Sequence, residues 1–248
     1  MISVLLLACS GGNPATTLDG LTVLAMAPEQ VEAASGSLAN VTVDVANPLE
    51  QNVRLALWAC PFSACDEGGE IWVGEPFAGH QVALPVSVLV PVAPEATPLT
   101  LWGLAIENEH ADLLDEFQAD SDLRADPGST LEALPLASYA LARRTWTVGM
   151  GATAPAAVAL NRVPEAAQVD AEVSVLATVT GTLGDEATAW PYTTLGAFAE
   201  VSVDVESGQV DVTFVAPPEP GVGRAWIVVE DGNGGTATVS WEVEVVRR

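Results

Sequence analysis

The sequence predicts an all-β protein: two β-sandwich domains in tandem, with one short helix inserted in the first. Short segments alternate apolar and polar residues with a period of two, as half-buried strands do. Clusters of glycine, proline and asparagine separate these segments and supply the turns. At 248 residues, the chain is long enough for two domains that each bury a core.

The first domain is expected over residues 21–149. Within it, residues 53–60 place alternate apolar side chains on one face of a strand and Trp58 on the other. A second extended segment covers residues 80–92 and contains Pro85. Because proline cannot donate to a sheet ladder, we predict an edge strand or a bulged strand there.

One segment of the first domain, residues 107–123, departs from the β pattern. Leu113, Leu114 and Phe117 fall at helical spacing among many acidic residues, which predicts a short amphipathic helix. A loop is expected to follow at residues 126–128. The acidic side chains form either a solvated helix face or, as a less favoured alternative, a calcium site built from Asp115, Glu116, Asp120 and Asp122.

The second domain is expected over residues 163–248, after a linker at residues 150–162 that is rich in alanine and glycine. Residues 173–179 alternate as a strand. The clearest hairpin of the chain joins residues 225–230 to residues 236–246.

Three runs in this last third carry a resemblance to a known type of domain. Residues 194–198, 212–221 and 227–236 are similar to the closing strands of bacterial Ig-like domains of the PKD and cadherin-like type. Residues 21–25 and 58–60 more loosely resemble the leading domain of surface lipoproteins from myxobacteria and their relatives. The resemblance implies two Ig-like sandwiches on a cell surface. Its motifs are strand and turn signals, so they imply a fold more than an activity.

The first residues resemble the lipobox of bacterial lipoproteins. An apolar run from Ile2 to Ala8 ends at Cys9, and a small, polar segment follows up to Gly20. The resemblance implies a signal peptide at residues 1–8, a lipid on Cys9 and a flexible tether at residues 9–20. Signal peptides open with basic residues, and none is present here. We therefore expect that the true start lies upstream and that a basic segment is missing from the signal peptide. The alternative is a cytoplasmic protein with an apolar N-terminus.

Two further cysteines, Cys60 and Cys65, remain as a pair. In an oxidising compartment they can close a small disulfide ring that stabilises the fold by roughly 2 kcal/mol. Two free, buried thiols are the alternative. The spacing does not match a redox Cys-x-x-Cys motif, and no second pair completes a zinc site.

The charge of the chain limits its partners. There are 33 acidic residues and 8 basic ones, for a net charge of −25. Such a surface repels phosphate backbones and anionic headgroups, so we expect no nucleic-acid partner and membrane contact only through the N-terminal lipid. Divalent cations are attracted instead. Asp231 and Asn233, in Asp-Gly-Asn-Gly-Gly, are candidate Ca²⁺ ligands, although the same residues suit a hairpin turn.

The sequence contains few residues that suggest catalysis. The histidines, His80 and His110, lie in no known catalytic frame, and Glu107-x-x-His110 matches only half of a di-iron signature. We therefore predict that the chain is not an enzyme and has no cofactor.

The seven tryptophans suggest a carbohydrate partner, because aromatic rings stack on sugars. Trp72, near the cysteine pair, is the candidate for ligand contact. Four others lie in predicted strands and are expected to fill the sandwich cores: Trp58, Trp190, Trp226 and Trp241.

Together these features predict a non-catalytic binding or spacer module, anchored by lipid in the outer membrane and facing the periplasm or the cell surface. The loop of residues 60–74 is its expected contact surface for a protein or polysaccharide partner. Two alternatives are a calcium-dependent adhesion module and a carbohydrate-binding accessory module of an envelope hydrolase system.

Overall fold

A computed structural model describes residues 16–29, 32–61, 65, 70–149 and 157–247. The chain is all-β, as predicted, and contains a few short helices. In chain order the strands are β1 (Thr16–Thr17), β2 (Thr22–Pro28), β3 (Glu32–Ala33), β4 (Leu38–Ala46), β5 (Val53–Pro61), β6 (Trp72–Val73), β7 (Gln81–Leu89), β8 (Pro98–Glu107), β9 (Tyr139–Val148), β10 (Ala157–Arg162), β11 (Ala167–Gln168), β12 (Glu172–Thr180), β13 (Thr188–Thr193), β14 (Ala197–Asp204), β15 (Gln209–Val215), β16 (Gly221–Glu230) and β17 (Thr236–Val246).

In the first sandwich, a sheet of order β2-β4-β7 faces a sheet of order β3-β9-β8-β5-β6. Alternate valines of β4 are fully buried between the two sheets, as a period of two requires. Strand β3 runs parallel to β9, whereas the other pairs are antiparallel. β7 is an edge strand in which Pro85 is exposed, so this prediction is confirmed.

In the second sandwich, a sheet of order β10-β12-β15-β14 faces the strands β13-β16-β17-β11. When the two-residue strand β11 is left out of the count, this is the order of an Ig constant-type sandwich. The first, second, fifth and fourth strands (β10, β12, β15 and β14) then lie opposite the third, sixth and seventh (β13, β16 and β17). Phe198 packs edge-on against Phe214 and Trp241 at 5.5 and 6.1 Å between ring centroids. The strand order and this aromatic core identify an Ig-like sandwich.

Helices cover the outer face of the larger sheet of the first sandwich. They are a 3-10 turn (Asn108–His110), α1 (Asp112–Ala119), α2 (Ser121–Ala125) and α3 (Pro127–Leu131). The prediction of one helix followed by a loop was therefore wrong. Asp120 is extended and ends α1, its side chain caps α2 by accepting from the Asp122 amide at 2.8 Å, and Pro127 begins α3. Every helix in the described ranges is too short to cross a membrane.

Residues 150–156 of the predicted linker lie outside the described residues, but residues 157–162 are not a linker. They form β10, which pairs with β12 and opens the second sandwich. Val158 and Leu160 alternate along it and pack against the core. The second domain therefore begins before residue 163. The alanine-rich composition of the segment hid this alternation.

The tryptophans are placed differently from the prediction. Trp241 packs in the core of the second sandwich, as expected. Trp58 and Trp226 are fully buried, but each lies on the outer face of its sheet. Both sheets are covered on two sides, so a tryptophan there is buried without entering a sandwich core.

Candidate functional site: the junction between the sandwiches

An apolar cluster joins the two sandwiches where β2 of the first lies against the outer face of the β13-β16-β17 sheet. Alternate residues of β16 serve two cores: Ile227 faces its own sandwich, and Trp226 faces the first domain. We call this contact the junction cluster. It consists of Leu18, Leu24, Ala25, Ala46, Trp226 and Val228, with Trp190 and Tyr192 packed against it.

Arg144 of β9 is the main polar contact across the junction. Its guanidinium donates to the Met26 carbonyl oxygen at 2.7 Å within the first domain. It also donates to the Gly234 carbonyl and the Thr236 hydroxyl of the second. Burial lowers the pKa of Arg144, and the charges of Glu230 and Asp231 oppose that shift.

Two further polar groups lie at this boundary. Arg224 of β16 donates from Nη1 to Oε1 of Gln81 on β7 at 3.0 Å. Asp44 of β4 is 8% exposed and lies beside Thr238 of β17. Burial raises the pKa of the Asp44 carboxyl, and the Thr238 hydroxyl offsets part of this shift. Charged groups of both domains are thus held in the junction.

Tyr192 is a further titratable group of the junction. Burial raises the pKa of its phenol, and the charge of Glu230 raises it further. The phenol is therefore neutral at physiological pH and adds no charge to a region that already contains Glu230 and Asp231.

The predicted calcium ligands lie in the turn of residues 231–235, which is the turn that Arg144 contacts. Oδ1 of Asp231 accepts from the backbone amides of Asn233 and Gly235, both at 2.7 Å. The Asn233 side-chain amide donates to the Thr182 carbonyl at 2.9 Å. The bonds within the turn stabilise the hairpin, which is the alternative to a metal site. The guanidinium of Arg144 already supplies a positive charge beside the Asp231 carboxylate.

A separate group of potential metal ligands lies at the end of β8. Glu107, Glu109 and His110 can bring one ligand atom each within 4.8 Å of one another. The 3-10 turn Asn108–His110 begins directly after Glu107, the last residue of β8, and this reversal brings the three side chains together. One imidazole and two carboxylates suit Zn²⁺ better than Ca²⁺. Gln51 Nε2 donates to Glu107, and His110 Nε2 lies 3.5 Å from Glu109 Oε1.

The predicted disulfide between Cys60 and Cys65 is confirmed. Both cysteines are buried in the cluster between the larger sheet and the helices. In that cluster the ring of Trp58 stacks with those of Trp102 and Phe117, at centroid distances of 6.3 and 6.0 Å.

Trp72, the candidate for ligand contact, is half-buried on β6, and its ring lies over the backbone of Gly74. A Cβ atom at position 74 would be only 2.6 Å from Cη2 of this ring. Much of the ring therefore packs against the protein itself. Cys9, the predicted lipidation site, lies outside the described residues.

Arg144 and Leu18, which are two of the junction residues, carry no signal in the sequence that marks them as part of an interface. Arg144 is one of an adjacent arginine pair, and nothing in its spacing separates it from Arg143. Leu18 is a single leucine in a small, polar segment that was predicted to be a flexible tether. In the structure it is buried in the junction cluster, so the tether prediction is wrong for residues 16–18.

Comparisons with known proteins give little sequence similarity. No family model matches the chain, and no curated protein matches it. Among solved structures, a red sea bream transglutaminase is 12% identical, with a TM-score of 0.28 over 90% of this chain and 31% of that one. A Salmonella alpha-2-macroglobulin is 10% identical, with a TM-score of 0.30 over 90% of this chain and 16% of that one.

The N-terminal Ig module of the Drosophila receptor protein tyrosine phosphatase DLAR is 10% identical, with a TM-score of 0.28 over 92% of this chain and 99% of that one. The chain thus spans less than a third of the length of the transglutaminase and the macroglobulin. Our assignment of Ig-like sandwiches rests on their own strand order.

Proposed function

We propose that this chain is a non-catalytic module of the cell envelope whose two Ig-like sandwiches act as one rigid binding or spacing unit. In this proposal a lipid on Cys9 holds it to the outer membrane, on the periplasmic or the surface side. The observation that supports rigidity is the contact of Arg144 with the 231–235 turn of the other domain.

The junction combines the two kinds of contact that oppose movement between domains. An apolar cluster that includes the fully buried Trp226 must be exposed to water when the domains separate, which costs free energy. Arg144 and Arg224 add charged hydrogen bonds across the same boundary. A short chain segment alone would leave two domains free to rotate.

Rigidity is tested by ¹⁵N relaxation of the full chain in solution. We expect one rotational correlation time for amides of both sandwiches, as for a single body. Arg143→Met changes the exposed neighbour of Arg144 and is the control variant. We expect it to leave the correlation time unchanged. Two distinct, shorter correlation times in the wild-type chain would overturn the proposal of a rigid unit.

The lipid anchor is tested by the intact mass of the protein purified from its native membrane. We expect a mass that begins at Cys9 and includes acyl chains. A mass that begins at Met1 without lipid would overturn the anchor and the envelope location together.

For the contact surface we propose the loop of residues 60–74, which the Cys60–Cys65 disulfide braces at one end. Trp72 lies at the other end and is partly exposed. Its emission during titration with envelope polysaccharide tests a carbohydrate partner, with Trp72→Phe as the variant that removes the signal. A titration curve that Trp72→Phe does not alter would count against this surface.

A further inference from the structure

The N-terminal segment of the chain is held by the second sandwich, although the first sandwich follows it directly. Strand β1 runs parallel to β13, with Thr16 opposite Tyr192 and Thr17 opposite Thr193. The backbone amide of Leu18 continues the ladder by donating to the Thr193 carbonyl at 2.7 Å. The Thr17 hydroxyl also donates to the Gly196 carbonyl at 2.8 Å.

The two sandwiches differ in the strand that covers the equivalent edge of their sheets. In the first, the edge of β5 pairs with β6, the next strand in the chain. In the second, the strand after β13 is β14, which belongs to the opposite sheet. The edge of β13 is therefore open to a strand from elsewhere, and an open edge accepts extended segments readily.

Leu18 provides the apolar part of this contact. Its side chain is 7% exposed and belongs to the junction cluster together with Leu24 and Trp226. Asp19, the next residue, is exposed. One buried leucine and a ladder of two residues form a small contact, of the kind that opens locally while the remaining fold stays intact.

We propose that the outer edge of β13 is a strand-acceptor site and that residues 16–18 occupy it as a releasable clasp. The ligand class is a short extended segment that offers a backbone donor to Thr193 and a leucine to the junction cluster.

One consequence rests on the proposed lipid at Cys9. With the clasp closed, residues 10–15 span at most about 20 Å between the lipid and the protein. With the clasp open, residues 10–20 are free and span at most about 40 Å. The clasp would thus set how far the two sandwiches stand from the membrane.

The first test is backbone hydrogen exchange of the full wild-type chain, which needs no lipid and so does not depend on the proposed anchor. We expect the Leu18 amide to exchange at least about tenfold more slowly than a free peptide, because a local opening must precede exchange. An exchange rate equal to that of a free peptide would overturn the clasp.

The second test substitutes the apolar contact. Leu18→Asp places a carboxylate in the junction cluster and is expected to abolish protection of the residue-18 amide, while amides of β16 and β17 stay protected. Leu38→Asp, at a leucine that is 70% exposed, is the control and leaves this protection unchanged. If Leu18→Asp unfolds the second domain, Leu18→Ala replaces it, with a smaller loss expected.

The acceptor site itself is tested by adding a peptide of residues 14–20 to the Leu18→Asp chain. We expect the peptide to bind and to change the emission of Trp190 and Trp226, which lie in or against the junction cluster. The same peptide with aspartate in place of the leucine is expected not to bind. Equal binding of both peptides, or a protected residue-18 amide in Leu18→Asp, would contradict the proposal.

Discussion

The guanidinium of Arg144, on the last strand of the first sandwich, donates to the carbonyl oxygen of Gly234, in the last hairpin of the second. The hairpin turn is fixed from within, because Asp231 accepts the amides of Asn233 and Gly235. In a turn of this shape, the carbonyl of Gly234 points toward the first sandwich. The local chemistry of the turn and the docking of the domains are therefore linked.

The first prediction concerns this contact. Arg144→Met removes the charged hydrogen bonds across the junction but keeps much of the apolar stem. We expect a loss of roughly 2 kcal/mol in the free energy of unfolding, in the range for hydrogen bonds to charged groups. We also expect urea unfolding to separate into two transitions, because the coupling that remains, from the apolar cluster and the Arg224–Gln81 hydrogen bond, is weaker.

Arg143→Met is the matched control, since Arg143 is the preceding residue on the same strand and is exposed. We expect it to unfold in one transition with nearly wild-type stability. If the two variants behave alike, Arg144 does not couple the domains.

The second prediction is a pH dependence at Asp44. Burial raises the pKa of this carboxyl in the folded protein. The folded state therefore gains most from this group below the unfolded pKa, about 3.9, and loses that gain as the pH rises through the folded pKa. Asp44→Asn should then stabilise the protein at pH 7 by roughly 1 kcal/mol, because it removes a negative charge that burial disfavours.

Urea unfolding at pH 7 and near pH 4 measures this effect, which should shrink in acid. Asp204 is the control with the opposite sign, because hydrogen bonds from Ser207 and Glu206 lower the pKa of its exposed carboxyl. Its stabilisation is present above the unfolded pKa and is lost as the pH falls. Asp204→Asn should therefore destabilise the protein at pH 7 and lose this effect in acid. If Asp44→Asn and Asp204→Asn change the stability in the same direction at pH 7, the opposite pKa shifts assigned to the two carboxyls are refuted.

The third prediction concerns the disulfide. Replacing Cys60 and Cys65 by alanine, in a chain that also carries Cys9→Ser, should lower the free energy of unfolding by about 2 kcal/mol, as expected for so small a ring. Reductant should lower the stability of the disulfide-containing chain by a similar amount and leave the alanine variant unchanged. Equal sensitivity of both chains to reductant would contradict a structural role for the bond.

Local patterns in the sequence predicted the all-β class, the edge strand with Pro85 and the disulfide. These features depend on residues close together in the chain: alternation, a missing amide donor and a spacing of five. The hairpin of β16 and β17 was also predictable, because an Asp-Gly-Asn-Gly-Gly turn suits only a few backbone conformations.

The junction could not be predicted in the same way. The Leu18 amide donates to the carbonyl of Thr193, some 175 residues away, and no local pattern in the sequence indicates such a contact. Trp226 alternates correctly along β16, but whether its face meets water or another domain depends on how the domains dock. A strand that is buried on both faces is apolar at consecutive positions, as β5 and β16 are, so the pattern does not show which face belongs to the sandwich core. For this reason Trp58 and Trp226 were expected in the cores and lie instead on the outer faces.

The last prediction separates turn chemistry from calcium binding at Asp231. Because its carboxylate accepts two backbone amides, Asp231→Ala should cost about 2 kcal/mol through two unpaired donors, whether or not calcium is present. Asn233→Ala removes one side-chain bond to Thr182 and should cost less. Thermal melts of both variants and of the wild-type chain, each with calcium and with chelator, measure the difference. A melting temperature of the wild-type chain that rises with calcium, and no longer does so in Asp231→Ala, would show that the carboxylate binds the ion in addition to shaping the turn.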